Sequence, residues 1–587
     1  MRSTPGFGGQ PGMGRRAFLG RTVAGLGVAG WWAGRGVGLP ARGEAGIGRE
    51  IRSDVVICGG GLGGVAAALA ACRNGLRVAL TEETDWLGGQ LTSQAVPPDE
   101  HRWIEQFGCT RTYRALRDGI RDYYRRHYPL TEIARARPHL NPGNGIVSRL
   151  CHEPRVALAV LEGMLAPWVG GGRLTVLREH RAVGVERDGD RVRSVKVLST
   201  RTGTERVLRA PWILDATELG DLLALGKVEH LTGAEGRDVT GEPHAPEKAD
   251  PLNQQAFTVC FAVEHRAGED HTIERPREYA FWRDHVPALT PPWPGRLLAW
   301  DYSSPRTLEP RTLGFDPENE SAGARLNLWT YRRIAAAANF QAGTYGGDVS
   351  LINWPQNDYM LGPLVGEGVE DSARERHVAR AKQLSLSLLY WLQTEAPRID
   401  GKSGWPGLRL RSDLVGTEDG LAKAPYVRES RRIRALFTVK EQDLGIAARA
   451  KALGIRESEV RSEAYFDTVG IGQYPIDLHP STAGDNYIDF DAGPFQIPLG
   501  ALLPERVENL LPANKNIGTT HVTNGAYRLH PVEWAIGEAV GCLVAFAARK
   551  RERARAIREK PALLREFQGW IRDQGLETHW PWPGRGT

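Results

Sequence analysis

Gly59, Gly61 and Gly64, spaced G-x-G-x-x-G, and the carboxylate of Glu82, 23 residues after the first of them, are residues whose types and spacing imply a definite chemistry. Glycine at the first position permits a tight turn, at the second it lets the backbone approach a diphosphate, and at the third it lets a helix lie close on a strand. A carboxylate about twenty residues further on accepts both hydroxyls of a ribose. This is chemistry for holding a dinucleotide, NAD or FAD. The elements that must position these groups are also legible. An apolar strand, Val55 to Cys58, enters the glycine turn, an Ala-rich helix from Val65 to Ala71 leaves it, and a second strand from Val78 to Leu80 runs on to Glu82. The helix N-terminus turns its dipole and free N–H groups toward the phosphates. Leu62 and Gly63 inside the turn and Glu83 beside Glu82 belong to the same expected binding surface.

Three further blocks choose between the two dinucleotides. They are Trp86-Leu87-Gly88-Gly89-Gln90-Leu91-Thr92, the segment from Ile213 to Asp221, and the long block from Asn509 to Gly541. With the N-terminal unit they resemble the FAD-dependent oxidoreductases of the glutathione-reductase-like flavoprotein superfamily, in particular a secreted bacterial group of which some members are labelled xanthan lyase. The resemblance spans residues 51 to 550. It implies an α/β fold: a three-layer Rossmann-like FAD-binding domain with an inserted α+β substrate cap, non-covalent FAD, and oxidoreductase activity. No second G-x-G-x-x-G follows a strand, so the sequence offers no second nucleotide half for NAD(P)H.

Carried over by this resemblance, Gly59, Gly61, Gly64 and Glu82 hold the ADP half of FAD, and Gly88, Gly89 and Gln90 let a loop pass the diphosphate and ribityl. Val183, with Ala182, presents backbone groups to adenine from a strand read as Leu174 to Glu186. Ala216 and Thr217 stand in for the superfamily's A-T-G loop, with Glu218 at the glycine position. Gly518 and the segment from Ala526 to His530 close over the isoalloxazine. Pro531 suits the start of a helix whose N-terminal dipole stabilises negative charge on the reduced flavin.

Flavin oxidation of a substrate removes a hydride and a proton, so a base must stand near the reacting carbon. Two histidines qualify: His530, in the block expected beside the flavin, and His479, with Asp477 two residues before it as orienter. Arg528 is expected to bind substrate or stabilise the reduced flavin. The substrate expected is a small polar molecule with a CH–OH or CH–NH bond, and the electron acceptor is open among oxygen, a quinone and a redox protein. The alternatives are a flavin- or glycan-binding protein without turnover and a lyase that uses flavin as scaffold. Six cysteines show no C-x-x-C and no zinc or iron–sulfur spacing, so no metal site is expected.

Arg15-Arg16-Ala17-Phe18-Leu19-Gly20, followed by a weakly apolar run from Val23 to Ala33, reads as a twin-arginine address for bacterial export machinery, with a periplasmic or secreted product. The run is too short to span a bilayer, and no other stretch reads as long and apolar enough. The whole chain has 75 Lys+Arg against 70 Asp+Glu, and residues 1–45 hold six Arg and one Glu, so the remainder balances at 69 against 69. Nothing in that balance calls for nucleic acid.

The organisation expected is a signal segment over 1–45, a first FAD-binding part over 51–250, a substrate cap over 251–460, the returning FAD-binding part over 461–550, and a helical tail over 551–587. The cap segment holds seven of the 17 tryptophans, Trp282, Trp293, Trp300, Trp329, Trp354, Trp391 and Trp405. Each on its own is expected in the core. As a group they lean toward a polar, ring-bearing and carbohydrate-like substrate.

Overall fold

Val55–Cys58 becomes a central strand because all four residues are apolar and nothing in them favours a turn. It is fully buried in a computed structural model that describes residues 50–581, except 322 and 324. The twin-arginine segment lies outside the described residues. Val55–Cys58 pairs in parallel with Val78–Glu82 on one side and Trp212–Asp215 on the other. Leu510–Pro512 and Leu174–Arg178 complete a five-stranded parallel sheet at its two edges. Successive strands leave the central one in opposite directions, which makes its C-terminal end a topological switch point, the place where such sheets bind ligands.

The period-two alternation of the strands separates two layers. Val55, Ile57 and Leu80 face a core shared with the helices Leu62–Arg73 and His530–Lys550. Val56, Cys58 and Ala79 face the other way, onto Val195, Val197 and Leu208 of a second sheet. That sheet has four strands in the order Glu50–Arg52, Glu205–Arg209, Arg191–Ser199 and His180–Asp188. Helices, parallel sheet and second sheet are three stacked layers. The continuous strand expected from Leu174 to Glu186 is in fact two, because Glu179 takes a left-handed turn (φ 57°) that carries the chain from the first sheet to the second.

The helices Leu62–Arg73 and His530–Lys550 pack backbone to backbone. A Cβ on Gly537 would overlap the Gly63 carbonyl, and one on Gly541 would meet the Ala67 carbonyl at 2.5 Å. His530–Lys550 is long and apolar enough to cross a membrane, contrary to the reading that no stretch beyond the N-terminal run qualifies; 94% of its apolar window is buried within the fold. A helix apolar on every face suits the centre of a large core as well as a bilayer.

Between residues 251 and 460 the chain builds an antiparallel sheet in the order Arg333–Ala335, Val349–Ile352, Phe261–His265 and Leu408–Leu410, beside the helix Asp371–Thr394. Its own hydrophobic cluster takes up six of the seven tryptophans as buried residues; Trp300 alone is partly buried. Phe315 meets Trp405 edge-on with ring centroids 4.8 Å apart, and Trp300 meets Trp391 at 4.9 Å. Six of these rings are core residues packed against their neighbours. All six cysteines are buried and unpaired.

Candidate functional site

At the C-terminal ends of the strands Val55–Cys58, Val78–Glu82 and Trp212–Asp215 lies a cavity of about 930 Å³. Gly59 turns the chain there with φ 102°, and a Cβ at this position would overlap the Ala216 carbonyl. Gly64 packs so closely on Gly59 that its Cβ would overlap the Gly59 carbonyl. Gly61 faces the cavity, and a Cβ there would come within 3.2 Å of carboxylate oxygens of both Glu218 and Glu533. Gly89 lies against it, its Cβ position 2.9 Å from the Gly61 Cα.

Glu82 ends its strand at the cavity wall. Its Oε2 accepts from the Gly60 N–H at 3.0 Å, and its Oε1 accepts from the Thr84 N–H at 2.9 Å and hydroxyl at 2.7 Å. Burial pushes its carboxyl up to about 7 against these bonds. Glu83 beside it is also raised by burial. Deeper in, Glu533 of the first turn of His530–Lys550 accepts from the Gly63 N–H at 2.9 Å and from the Gln90 amide. Burial and the neighbouring Glu218 charge raise Glu533. The Lys515 ammonium, itself buried, pairs with Glu218 at 2.5 Å.

A second constellation is organised by the block from Tyr474 to His479. His479 Nδ1 stands 2.6 Å from Asp358 Oδ2, and its Nε2 is 3.9 Å from Asp477 Oδ2. Asp358 is held below the usual carboxylate range by the Arg428 guanidinium, 3.1 Å away, and by His479, which outweigh its burial. Arg528 donates to the Asp477 carbonyl at 3.1 Å and carboxylate at 3.3 Å, and to the Tyr426 hydroxyl at 3.2 Å. Its carbonyl in turn accepts from Gln90 at 3.0 Å, so the cluster and the cofactor-side loop share one residue. Asp99 pairs with Arg332 at 3.2 Å, and its N–H donates to His530 Nδ1 at 3.1 Å.

Comparison with known proteins decides the class. A family model described as FAD dependent oxidoreductase matches residues 54–569. The chain belongs to the FAD-dependent oxidoreductase family. Solved structures of flavin enzymes show only distant likeness. The flavin-dependent monooxygenase PieE is 20% identical over 37% of this chain and 35% of its own, with a TM-score of 0.23. L-proline dehydrogenase from P. horikoshii is 20% identical over 32% and 25%, with a TM-score of 0.16, and the myxobacterial halogenase CndH is 17% identical over 37% and 45%, with a TM-score of 0.20. This chain thus spans about a third of the length of the first of these and less than half of the others. No curated protein sequence matches it significantly.

As an FAD-dependent oxidoreductase the chain needs a site for FAD, and the first cavity fits: its volume lies in the range of cofactor pockets, its glycines clear a backbone path, and a carboxylate ends the second strand. Of the residues expected from sequence, Gly59, Gly61, Glu82, Glu83, Gly89, Val183, Ala216 and Thr217 line it. Leu62, Gly63, Gly64 and Gly88 pack behind that wall, where Gly88 donates its N–H to Gly60 and a Cβ on it would meet Leu161 at 2.6 Å. Gly518 is elsewhere: it packs on Phe437 and Ala435, so it closes over nothing in the cavity.

The two histidines separate. His530 is fully buried, its Nδ1 lone pair is taken by the Asp99 N–H, and burial pushes its pKa down to about 3. A base needs a free lone pair, and His530 has none to offer. His479 is partly exposed, and its orienter is Asp358, not the Asp477 expected from sequence. Asp358, Glu533 and Lys515 were invisible in sequence as site residues because each acts through a partner remote in the chain. The same holds for Asp371 and Arg374, which the helix Asp371–Thr394 brings into the cofactor cavity wall.

Proposed function

We propose that this flavoenzyme oxidises a small polar organic substrate at a CH–OH or CH–NH bond, with His479 as the base. The observation that carries the reading is the Asp358–His479 pair at 2.6 Å. With the proton on Nδ1 donated to Asp358, His479 Nε2 keeps a lone pair facing the cluster. Bound FAD supplies the acceptor for the hydride that leaves the substrate carbon. His479 Nε2 takes the hydroxyl or amine proton, and Asp358, kept ionised by Arg428, stabilises the imidazolium that results. Arg528, tied to Asp477, keeps the cluster in place against the cofactor-side loop.

The finer sequence readings join this proposal: a glutathione-reductase-like arrangement in which residues 251–460 roof the flavin, non-covalent FAD, an acceptor open among oxygen, a quinone and a redox protein, and twin-arginine export. The roof reading is supported by Asp371 and Arg374 in the cofactor cavity wall. The test is anaerobic flavin bleaching with sugars, polyols, amines and hydroxy acids. His479→Ala should slow bleaching by roughly 10²- to 10⁴-fold, the worth of a positioned base, with FAD content unchanged. An unaltered rate removes His479, and a wild type bleached by no donor removes the oxidase-type reading in favour of a binding role.

A further inference from the structure

Glu533 stands where a dinucleotide fold places phosphate. The helix Leu62–Arg73 starts after Gly61, and the Gly63 N–H of its first turn is a donor that such folds turn on a diphosphate. Here it goes to Glu533 Oε1 at 2.9 Å. A Cβ on Gly61 would lie 3.2 Å from that same oxygen and 3.2 Å from Glu218 Oε1, and one on Gly89 would lie 3.0 Å from the Glu218 oxygen. Two carboxylates from remote segments thus meet at one point of the glycine wall. Glu218 lines the cofactor cavity itself, and Glu533 is fully buried behind Gly61.

The charges at that point do not balance. The cation paired within the cluster is Lys515, 1% exposed, with Nζ 2.5 Å from Glu218 Oε2 and 3.4 Å from Asn514 Oδ1. Glu533 pairs with no cation among the described residues; it has only the Gly63 N–H and the Gln90 amide. Glu218 Oε1 is buried with no hydrogen-bond partner among the described residues. Other cations of the cavity wall are engaged elsewhere: Arg431 with Asp221 at 3.2 Å, Lys423 with Asp85 at 2.9 Å and Arg374 with Asp371 at 3.5 Å, while Arg181 lies on the strand that carries Val183. His530 and Arg528, near Glu533 in sequence, are turned to Asp99 and Asp477. On the same glycine turn Glu82 is a further acid, accepting from the Gly60 N–H. A diphosphate beside Gly61 adds two negative charges to two carboxylates and one ammonium, a costly arrangement away from water. Burial and the Glu218 charge already raise the Glu533 carboxyl against the Lys515 charge.

We propose that Glu533 is a cofactor-positioning residue that enters the FAD-loaded site as the neutral acid, so that the apoprotein takes up one proton from solvent when it binds FAD. The neutral carboxyl keeps its carbonyl oxygen for the Gly63 N–H, and the helix stays capped beside the diphosphate without a second negative charge at its N-terminus. This is independent of the substrate and of His479. The sign follows from linkage: a group that holds more proton in the bound form makes affinity fall as pH rises, once the apoprotein has lost that proton.

The test uses the full chain stripped of FAD and reloaded with it. Titration calorimetry at pH 8 in HEPES and in Tris, buffers of different ionisation enthalpy, counts the protons taken up per FAD, and quenching of flavin fluorescence gives Kd between pH 6 and 9. Wild type should take up about 0.5–1 proton at pH 8, and its Kd should rise roughly 3- to 10-fold per pH unit above 7. Glu533→Gln should take up almost none and show a nearly flat Kd. Glu218→Gln leaves Lys515 to Glu533, keeps that carboxyl ionised, and should lower the uptake as well. No uptake by wild type, or an undiminished uptake by Glu533→Gln, would overturn the proposal. If Glu533→Gln does not fold, an undiminished uptake by Glu218→Gln overturns it instead.

Discussion

Asp358 precedes His479 by 121 residues and yet supplies the oxygen 2.6 Å from its Nδ1. An acid that fixes the tautomer is worth a measurable part of the rate. Asp358→Asn should therefore slow flavin bleaching by about tenfold or more while leaving FAD binding intact. His530 should behave in the opposite way. Its loss leaves the Asp99 N–H buried without an acceptor, so His530→Ala should cost about 1–3 kcal/mol in a denaturant melt and leave the reductive rate within a small factor. Glu242 offers a pH test at the same scale. It is fully buried, accepts from Thr520 and from the Glu441 N–H, and burial raises it to about 7. An acid raised in the folded state favours folding below its unfolded value near 4.5, and that contribution is lost as pH rises to about 7. The thermal midpoint of Glu242→Gln relative to wild type should accordingly climb between pH 5 and 7.5. A flat difference would mean that Glu242 is ionised in the folded state.

At the scale of elements, the contact between the helices Leu62–Arg73 and His530–Lys550 positions the whole cofactor side. Gly537 lies on the Gly63 carbonyl, and Gly63 donates to Glu533 one turn earlier on the partner helix. Gly537→Val must push these helices apart, at a cost of about 1–3 kcal/mol for overpacking, and should loosen FAD together with stability. Gly61→Val is the contrasting change. Its Cβ meets no backbone atom among its nearest contacts, which are two carboxylate oxygens at 3.2 Å and the Asn514 amide at 3.8 Å, so the fold should survive while the diphosphate path is filled and the purified protein loses its yellow colour. A yellow Gly61→Val protein with normal FAD content would mean that the cofactor does not run past this turn.

At the scale of the whole molecule, residues from both ends of the chain meet in one site: the turn at Gly59, the strand Leu510–Pro512 and the helix His530–Lys550 belong to a single layer system. Such a site forms only when the chain is complete, which suits the proposed export of a folded, loaded protein. Lys in place of Arg15 and Arg16 should leave the FAD-loaded protein in the cytoplasm, as fractionation and flavin fluorescence would show. Normal export of that variant would remove the twin-arginine reading.

Sequence alone determined the nucleotide turn, because glycine at Gly59, Gly61 and Gly64 reports a backbone need that no other residue meets, and Glu82 lies at a distance set by one strand–helix–strand unit. It also determined the family, through blocks whose local spacing survives folding. Only the tertiary structure decided what depends on contacts between remote segments. It separated His479 from His530 by burial and by a lone pair already used, gave His479 Asp358 in place of Asp477, and turned Gly518 away from the cavity. It also buried six of the seven tryptophans whose number in the cap segment had leaned toward a sugar. Side-chain type states what a residue can bond, but which bonds remain open is a property of the packed chain.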